Sequence, residues 1–177
     1  MASARSSLAL CALSALLLSA CGKAEEPKSA VPPAELGVFI STSDCIEAGK
    51  LTADQCAQAI DMAVALHNEQ AAFYKSLRSC EVAEGPERCD KTGEAEYRAR
   101  LQAFYVVMSN PPSAVPLYPP QGASVGFRSP SKQTIDARDE NIHVSYAAQT
   151  VAYENAKLPT NPGDGGAGLG AAAGNIH

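Results

Sequence analysis

Residues 41–89 read STSDCIEAGKLTADQCAQAIDMAVALHNEQAAFYKSLRSCEVAEGPERC, and the fold turns on this stretch. Ser41, Thr42, Ser43 and Asp44 offer short side-chain oxygens for the orphan N–H groups of a first helical turn. A short helix over residues 44–48 would end at Gly49, a residue suited to the left-handed position past a helix end. Thr52 is placed to cap a second helix, with Asp54 at the positive end of its dipole. From residue 53 the apolar residues recur at helical spacing. Cys56, Ile60, Ala63, Val64, His67, Ala71 and Tyr74 share a face, which Met62, Leu66, Phe73 and Leu77 widen. Asp54, Gln58, Asp61, Asn68, Glu69 and Lys75 fall opposite. The pattern predicts one long amphipathic helix over residues 53–77.

Four cysteines bracket that run: Cys45 and Cys56 before or at its start, Cys80 and Cys89 after its end. In an exported domain an even number of cysteines reads as disulfides. The local pairs Cys45–Cys56 and Cys80–Cys89 are favoured, each clipping a short turn to one end of the helix. A loop of that size contributes about 2–3 kcal/mol by restricting the unfolded chain. Cys45–Cys89 with Cys56–Cys80, and the third pairing, stay open. They require distant helix ends to meet, about 36 Å apart for Cys56 and Cys80 at 1.5 Å per residue. Zinc sites show close C-X2–4-C pairs, which this spacing lacks. No C-X-X-C supplies a low-pKa thiol. His67, on the apolar face, could serve as a ligand or proton acceptor beside Tyr74, but reads more simply as a hydrogen-bonded histidine at the core edge.

The chain has 177 residues, a net charge of −5, 6% aromatic residues and no Trp, which implies a small core rich in alanine. Thirteen Gly and twelve Pro cluster in the N-terminal linker, around residues 111–130 and in the tail. The acidic excess and the lack of a basic run argue against a nucleic-acid partner. Residues 1–20 hold one charge, Arg5, followed by an apolar run over residues 8–18. That run falls short of the roughly 20 residues a membrane-spanning helix needs and fits a secretory signal peptide. It ends in Leu18-Ser19-Ala20-Cys21, which resembles the lipobox of bacterial lipoproteins. The resemblance implies cleavage before Cys21 and acylation of that residue, palmitate being one such fatty acid. Each buried CH₂ contributes about 0.8 kcal/mol, so several chains anchor stably where one does not. Gly22, where Asp would retain such proteins at the inner membrane of enteric bacteria, leans towards the cell outer membrane. Residues 21–35 form a polar, Pro-containing tether that reaches roughly 20 Å as a coil. Cys11 lies inside the leader.

Ser43-Asp44-Cys45, Cys56, the Ala-rich run to Ala72-Phe73-Tyr74, Cys80-Glu81, Cys89 and the later Pro116-Leu117-Tyr118 resemble the YgiB-like bacterial lipoproteins. That family is catalogued as domain of unknown function 1190, and the resemblance spans about residues 36–130. It tends to carry Pro before the Tyr; with Phe73 there, the resemblance leaves open whether the helix stops or continues to Leu77. It implies a cell-envelope location and carries no biochemical activity.

Beyond the cysteines, Thr92-Gly93 reads as a turn. Residues 94–108 fit either a strand or a helix, and the closing Phe-Tyr-Val-Val favours strand. Pro116, Pro119 and Pro120 predict an irregular extended segment. Short strands over 124–128, 133–136 and 141–146 would make a hairpin or small antiparallel sheet, and 147–157 a short helix or an arm. The expected fold class is α+β: one long amphipathic helix with disulfide-clipped short helices, packed on a small antiparallel sheet, with disordered termini. The expected organisation is a signal peptide over 1–20, lipidated cysteine and tether over 21–35, a periplasmic domain over 36–157 and a Gly/Ala-rich tail over 158–177. Gly163, Gly165 and Gly168 formally match a dinucleotide fingerprint, but the motif needs a strand before it and a helix after it.

No nucleophile, base and orienter come together in the sequence, so no catalytic residue, cofactor or metal ligand is assigned. The function expected is that of a non-enzymatic, membrane-anchored envelope lipoprotein. Its partners would be the lipid bilayer through Cys21 and an envelope protein. The alternative is a small-ligand- or metal-binding periplasmic lipoprotein.

Overall fold

The computed structural model describes residues 34–161. Cys21, the leader, most of the tether and the Gly/Ala-rich tail lie outside the described residues. The order of elements is β1 (Glu35–Phe39), α1 (Thr42–Glu47), α2 (Ala53–Gln70), α3 (Leu77–Glu84), β2 (Cys89–Gly93), β3 (Glu96–Ala99), β4 (Ala103–Met108), β5 (Ser113–Leu117), β6 (Gly126–Arg128), β7 (Thr134–Asp136), β8 (Ile142–Val144) and α4 (Tyr146–Asn155).

β1 lies inside a four-stranded sheet of order β5-β4-β1-β8. It pairs antiparallel with β4 and parallel with β8. Alternation of side chains along each strand divides the core in two. On one face Phe39, Phe104, Val106 and Ala114 meet Cys45, Cys56, Ala59, Ile60 and Ala63 of α1 and α2. On the other, Val38, Ala103, Leu117 and Val144 meet Phe127, Ile135, Ala148 and Ala152 of the β6–β7 ribbon and α4. Alanines recur on both faces, so helices approach the sheet closely and a core with few aromatics still closes.

All four helices among the described residues open on a hydroxyl cap. Ser41, Thr52, Ser76 and Ser145 each accept a backbone N–H from the first turn. Thr52 and Gln55 form a reciprocal capping box, satisfying two orphan donors at once. Asp44 accepts the Ile40 N–H at 2.9 Å and the Ser145 hydroxyl at 2.6 Å, which ties the start of α1 to the start of α4.

The mixture of helix and strand is as expected; the architecture is not. There is no single long helix over residues 53–77. α2 has 18 residues and stops at Gln70, where Ala71 turns to ψ 128. The chain then runs extended, Tyr74 exchanges both backbone hydrogen bonds with Tyr97 of β3, and Ser76 caps a separate helix. Phe73 and Leu77, whose spacing continues the apolar stripe, are exposed at 55% and 44%. The small antiparallel sheet is also corrected: the main sheet is mixed, and two separate ribbons, β2–β3 and β6–β7, stand beside it. Within residues 94–108 the chain forms β3 and β4, with a turn at 94–95 before β3 and a break between the two strands. Gly93 still belongs to β2, so the turn falls after it. Pro116 lies within a strand, not an irregular segment. β5 is the sheet's edge, where a missing N–H is tolerated.

The disulfides join Cys45 to Cys56 and Cys80 to Cys89. The first is buried in the core between α1 and α2. The second does not clip anything to α2; it ties α3 to the start of β2.

Candidate functional site

The early end of α2 creates the site. Because the chain leaves the helix after Gln70 and bridges to β3, the Tyr74 side chain reaches the last residue of α3. Its hydroxyl donates to Glu84 Oε1 at 2.7 Å. The other carboxylate oxygen of Glu84 accepts from Arg128 Nη2, and the two side chains are 13% and 8% exposed. Arg128 ends β6 and is held by a backbone bridge to Tyr118, at 2.9 and 2.8 Å. Its guanidinium stands 5.4 Å over the Tyr118 ring, an arrangement that attracts a cation to the ring face. The Tyr118 hydroxyl lies 3.2 Å from His67 Nδ1. A continuous polar chain therefore runs Tyr74–Glu84–Arg128–Tyr118–His67 through a largely buried setting.

Two features fix this chain in place. The Cys80–Cys89 bridge holds α3, and with it Glu84, against the β2–β3 ribbon. Arg88 is fully buried and donates to the carbonyls of Pro120 at 2.6 Å, Pro86 at 2.9 Å and Pro159 at 2.5 Å. It thus locks the loop after Tyr118 to the loop after α3 and to the arm that follows α4.

Around the chain opens a cleft of ≈ 250 Å³ whose wall includes Gln70, Tyr74, Glu84, Tyr118, Arg128 and Lys132. Three larger hollows, one beside α4, one along β8 and one beside Arg138 and Tyr153, are more open and hold no buried ion pair. Nearby, Arg98 stacks on Phe73, 3.5 Å from its ring centroid, and reaches Asn68 at 3.3 Å. Its Nε is buried without a hydrogen bond among the described residues.

The ionisation states follow from burial. Burial lowers the His67 pKa, and the Arg98 charge lowers it further against a smaller opposing effect of Asp90. Burial also raises Tyr118. Tyr74 is pushed up to about 12, by burial first and then by its bond to Glu84. Both tyrosines stay protonated at neutral pH, and Tyr74 donates to Glu84. The set can hold and orient a polar guest.

The lowered His67 pKa makes a pH prediction. The unfolded chain takes up a proton near the ordinary value of 6.5, where the folded chain does not. Native stability therefore falls as pH drops below that value and is level above it. Urea unfolding at pH 8 and pH 5 is expected to show a lower midpoint at pH 5. The difference should shrink in a His67→Gln variant. An equal drop in wild type and variant would remove His67 as its source.

Of the residues singled out in the sequence, His67 lies at the core edge with a hydrogen bond, as its simpler reading held, and its polar partner is Tyr118 rather than Tyr74. The cysteines serve as staples. Among the described residues no cluster of three or more His, Cys, Asp or Glu could hold a metal ion, and no helix is long and apolar enough to cross a membrane. Glu84, Arg88, Arg98 and Arg128 were not singled out by sequence. Glu84 and Arg128 lie 44 positions apart, so no local spacing signals the pair.

Residues 34–109 match the model of a family described as protein of unknown function, DUF1190. The match agrees with the resemblance carried by the cysteine frame. It covers β1 to β4, including both disulfides, His67, Tyr74 and Glu84. Tyr118, Arg128 and Lys132, which complete the cleft, lie beyond the DUF1190 segment. No curated protein and no solved structure matches the chain.

Proposed function

We propose that this chain is a bacterial envelope lipoprotein, held in the lipid bilayer by an acylated Cys21 and facing the periplasm. Its folded part works as a non-enzymatic interaction module with an envelope protein as partner, and Gly22 favours the outer over the inner membrane. The observation that carries this reading is the order of Arg5, an apolar run and Leu18-Ser19-Ala20-Cys21 ahead of the folded residues. The two disulfides support it, since such bridges persist in oxidising compartments.

Labelled palmitate fed to bacteria producing the full chain tests the anchor. Label is expected on the wild type and absent from a Cys21→Ser variant, which should leave the membrane fraction. A Cys21→Ser variant that still carries label would overturn the proposal. A second reading, a module that binds a small ligand, is favoured by the cleft and its buried Glu84–Arg128 pair.

A further inference from the structure

We infer that the cleft beside Glu84 and Arg128 binds a carboxylate borne on a short aliphatic group, of the size of an alanine or propionate terminus. The inference rests on the small-ligand reading of the cleft and is independent of anchoring at Cys21.

Charge decides the sign of the guest. Arg128 and Lys132 line the cleft against one carboxylate, Glu84, which leaves one positive charge in excess. Arg128 directs Nε to the Pro119 carbonyl and Nη2 to Glu84, so Nη1 has no protein acceptor among the described residues. Glu84 is already engaged by Tyr74 and Arg128 on its two oxygens, which disfavours a cationic guest. An arginine whose face is planar and whose position is fixed suits a carboxylate.

Lys132 adds an independent observation. It has φ 65 in the turn between β6 and β7, a left-handed conformation that is strained for a non-glycine residue. The turn is tied by the Lys132 N–H to the Ser129 carbonyl and by the Ser129 N–H to the Gln133 carbonyl, both 2.9 Å. A glycine would relieve the strain; the exposed lysine instead adds a positive charge to the residues lining the cleft.

Shape decides the rest of the guest. Ala71, Ala72, Ala83 and Ala99, each with a single methyl group, supply the apolar lining together with Pro130 and the two tyrosine rings. At ≈ 250 Å³ the space lies below the ~300–1,000 Å³ of sites for drug-sized molecules. A compact anion with one or two small carbons beside it fits that space and that lining.

The full chain in detergent micelles gives the test through its own tyrosines, since it has six Tyr and no Trp and two of them line the cleft. Propionate and N-acetyl-alanyl-alanine are each titrated while tyrosine fluorescence is read. A saturable change with both is expected, and the C-terminal amide of the same dipeptide should give none. Tighter binding of the dipeptide would identify a peptide end as the source of the carboxylate; tighter binding of propionate would identify a free acid. Lys132→Asn keeps a residue that tolerates the positive φ and should weaken binding about two- to fivefold, the range for one partly exposed ion pair. An amide that binds as well as the acid overturns the carboxylate assignment while leaving a ligand site. No saturable response to any of them overturns both. Inorganic phosphate binding more tightly than either acid, or an unchanged Lys132→Asn affinity, also overturns the inference.

Discussion

A Glu84→Ala variant is expected to lose about 3–5 kcal/mol of folding stability, because it strands a buried guanidinium without its carboxylate. Glu84 and Arg128 are 13% and 8% exposed, so water entering from the cleft only partly replaces the missing carboxylate. Tyr74 loses its acceptor at the same time, adding an unsatisfied hydroxyl where the extended segment crosses β3. A domain of this size has about 5–15 kcal/mol in total, so the loss should be plain in the urea midpoint. The double variant Glu84→Leu/Arg128→Met separates the causes. Removing both charges together should recover much of the loss, since well-packed apolar residues often replace a buried pair at little cost. A single variant within about 1 kcal/mol of wild type, the range of exposed pairs, would mean that the pair is in effect a surface one.

The second large effect is expected at Gly126. This glycine opens β6 with φ 155, and a Cβ there would lie 2.1 Å from the backbone carbonyl oxygen of Ile135. The obstacle is main chain in the partner strand β7, so no rotamer change relieves it. Gly126→Ala must adopt a backbone conformation that is strained for L-residues and push the ribbon apart, for a combined cost of about 3 kcal/mol or more. The Gly126 carbonyl also accepts from the buried Asn155 side chain at 3.0 Å, so the displacement would reach α4. Gly49→Ala is the control. Gly49 also has positive φ, 67, but a Cβ there meets nothing within 4 Å, so only the backbone preference is lost, about 1–2 kcal/mol. Thermal unfolding of the two variants should rank Gly126→Ala well below Gly49→Ala. Equal midpoints would mean that the contact with Ile135 yields freely.

What could be read in the sequence was local. Ser41 and Thr52 announce their helices, because capping depends on a hydroxyl a few residues from the amide it accepts. Gly49 marks the end of the first turn in the same way. Ser76, which caps α3, is an equally local signal, but the apolar spacing of Phe73, Tyr74 and Leu77 runs across it. That spacing is real, yet only Tyr74 is drawn inward, and it is drawn towards β3 and α3 rather than along α2. Pro116 argued against a strand; only knowledge that β5 is an edge reverses that, and edge position depends on the whole sheet. The parallel pairing of β1 with β8 joins Val38 to Val144, and nothing in either segment names the other.

The candidate site was legible only in part. His67 and Tyr74 drew notice because they lie in a periodic run. Arg128 and Lys132 lie in a polar hairpin, where a charged residue usually means a solvated surface. Their role comes from the fold, which brings β6 beneath the end of α3. A buried arginine reads in sequence like an exposed one, since its chemistry is the same and only its surroundings differ.

The position of β1 also determines how the domain would bear a load. Leu36, Gly37 and Val38 each pair on both sides at once, with Val107, Val106 and Tyr105 of β4 and with Ile142, His143 and Val144 of β8. Tension on the chain ahead of Glu35 would pull this strand along its own axis. Both ladders would then be sheared together, with their hydrogen bonds sharing the force instead of opening one after another like a zip. The first strand of the described residues is thus fastened inside the sheet, where a steady pull has the most bonds to break at one time.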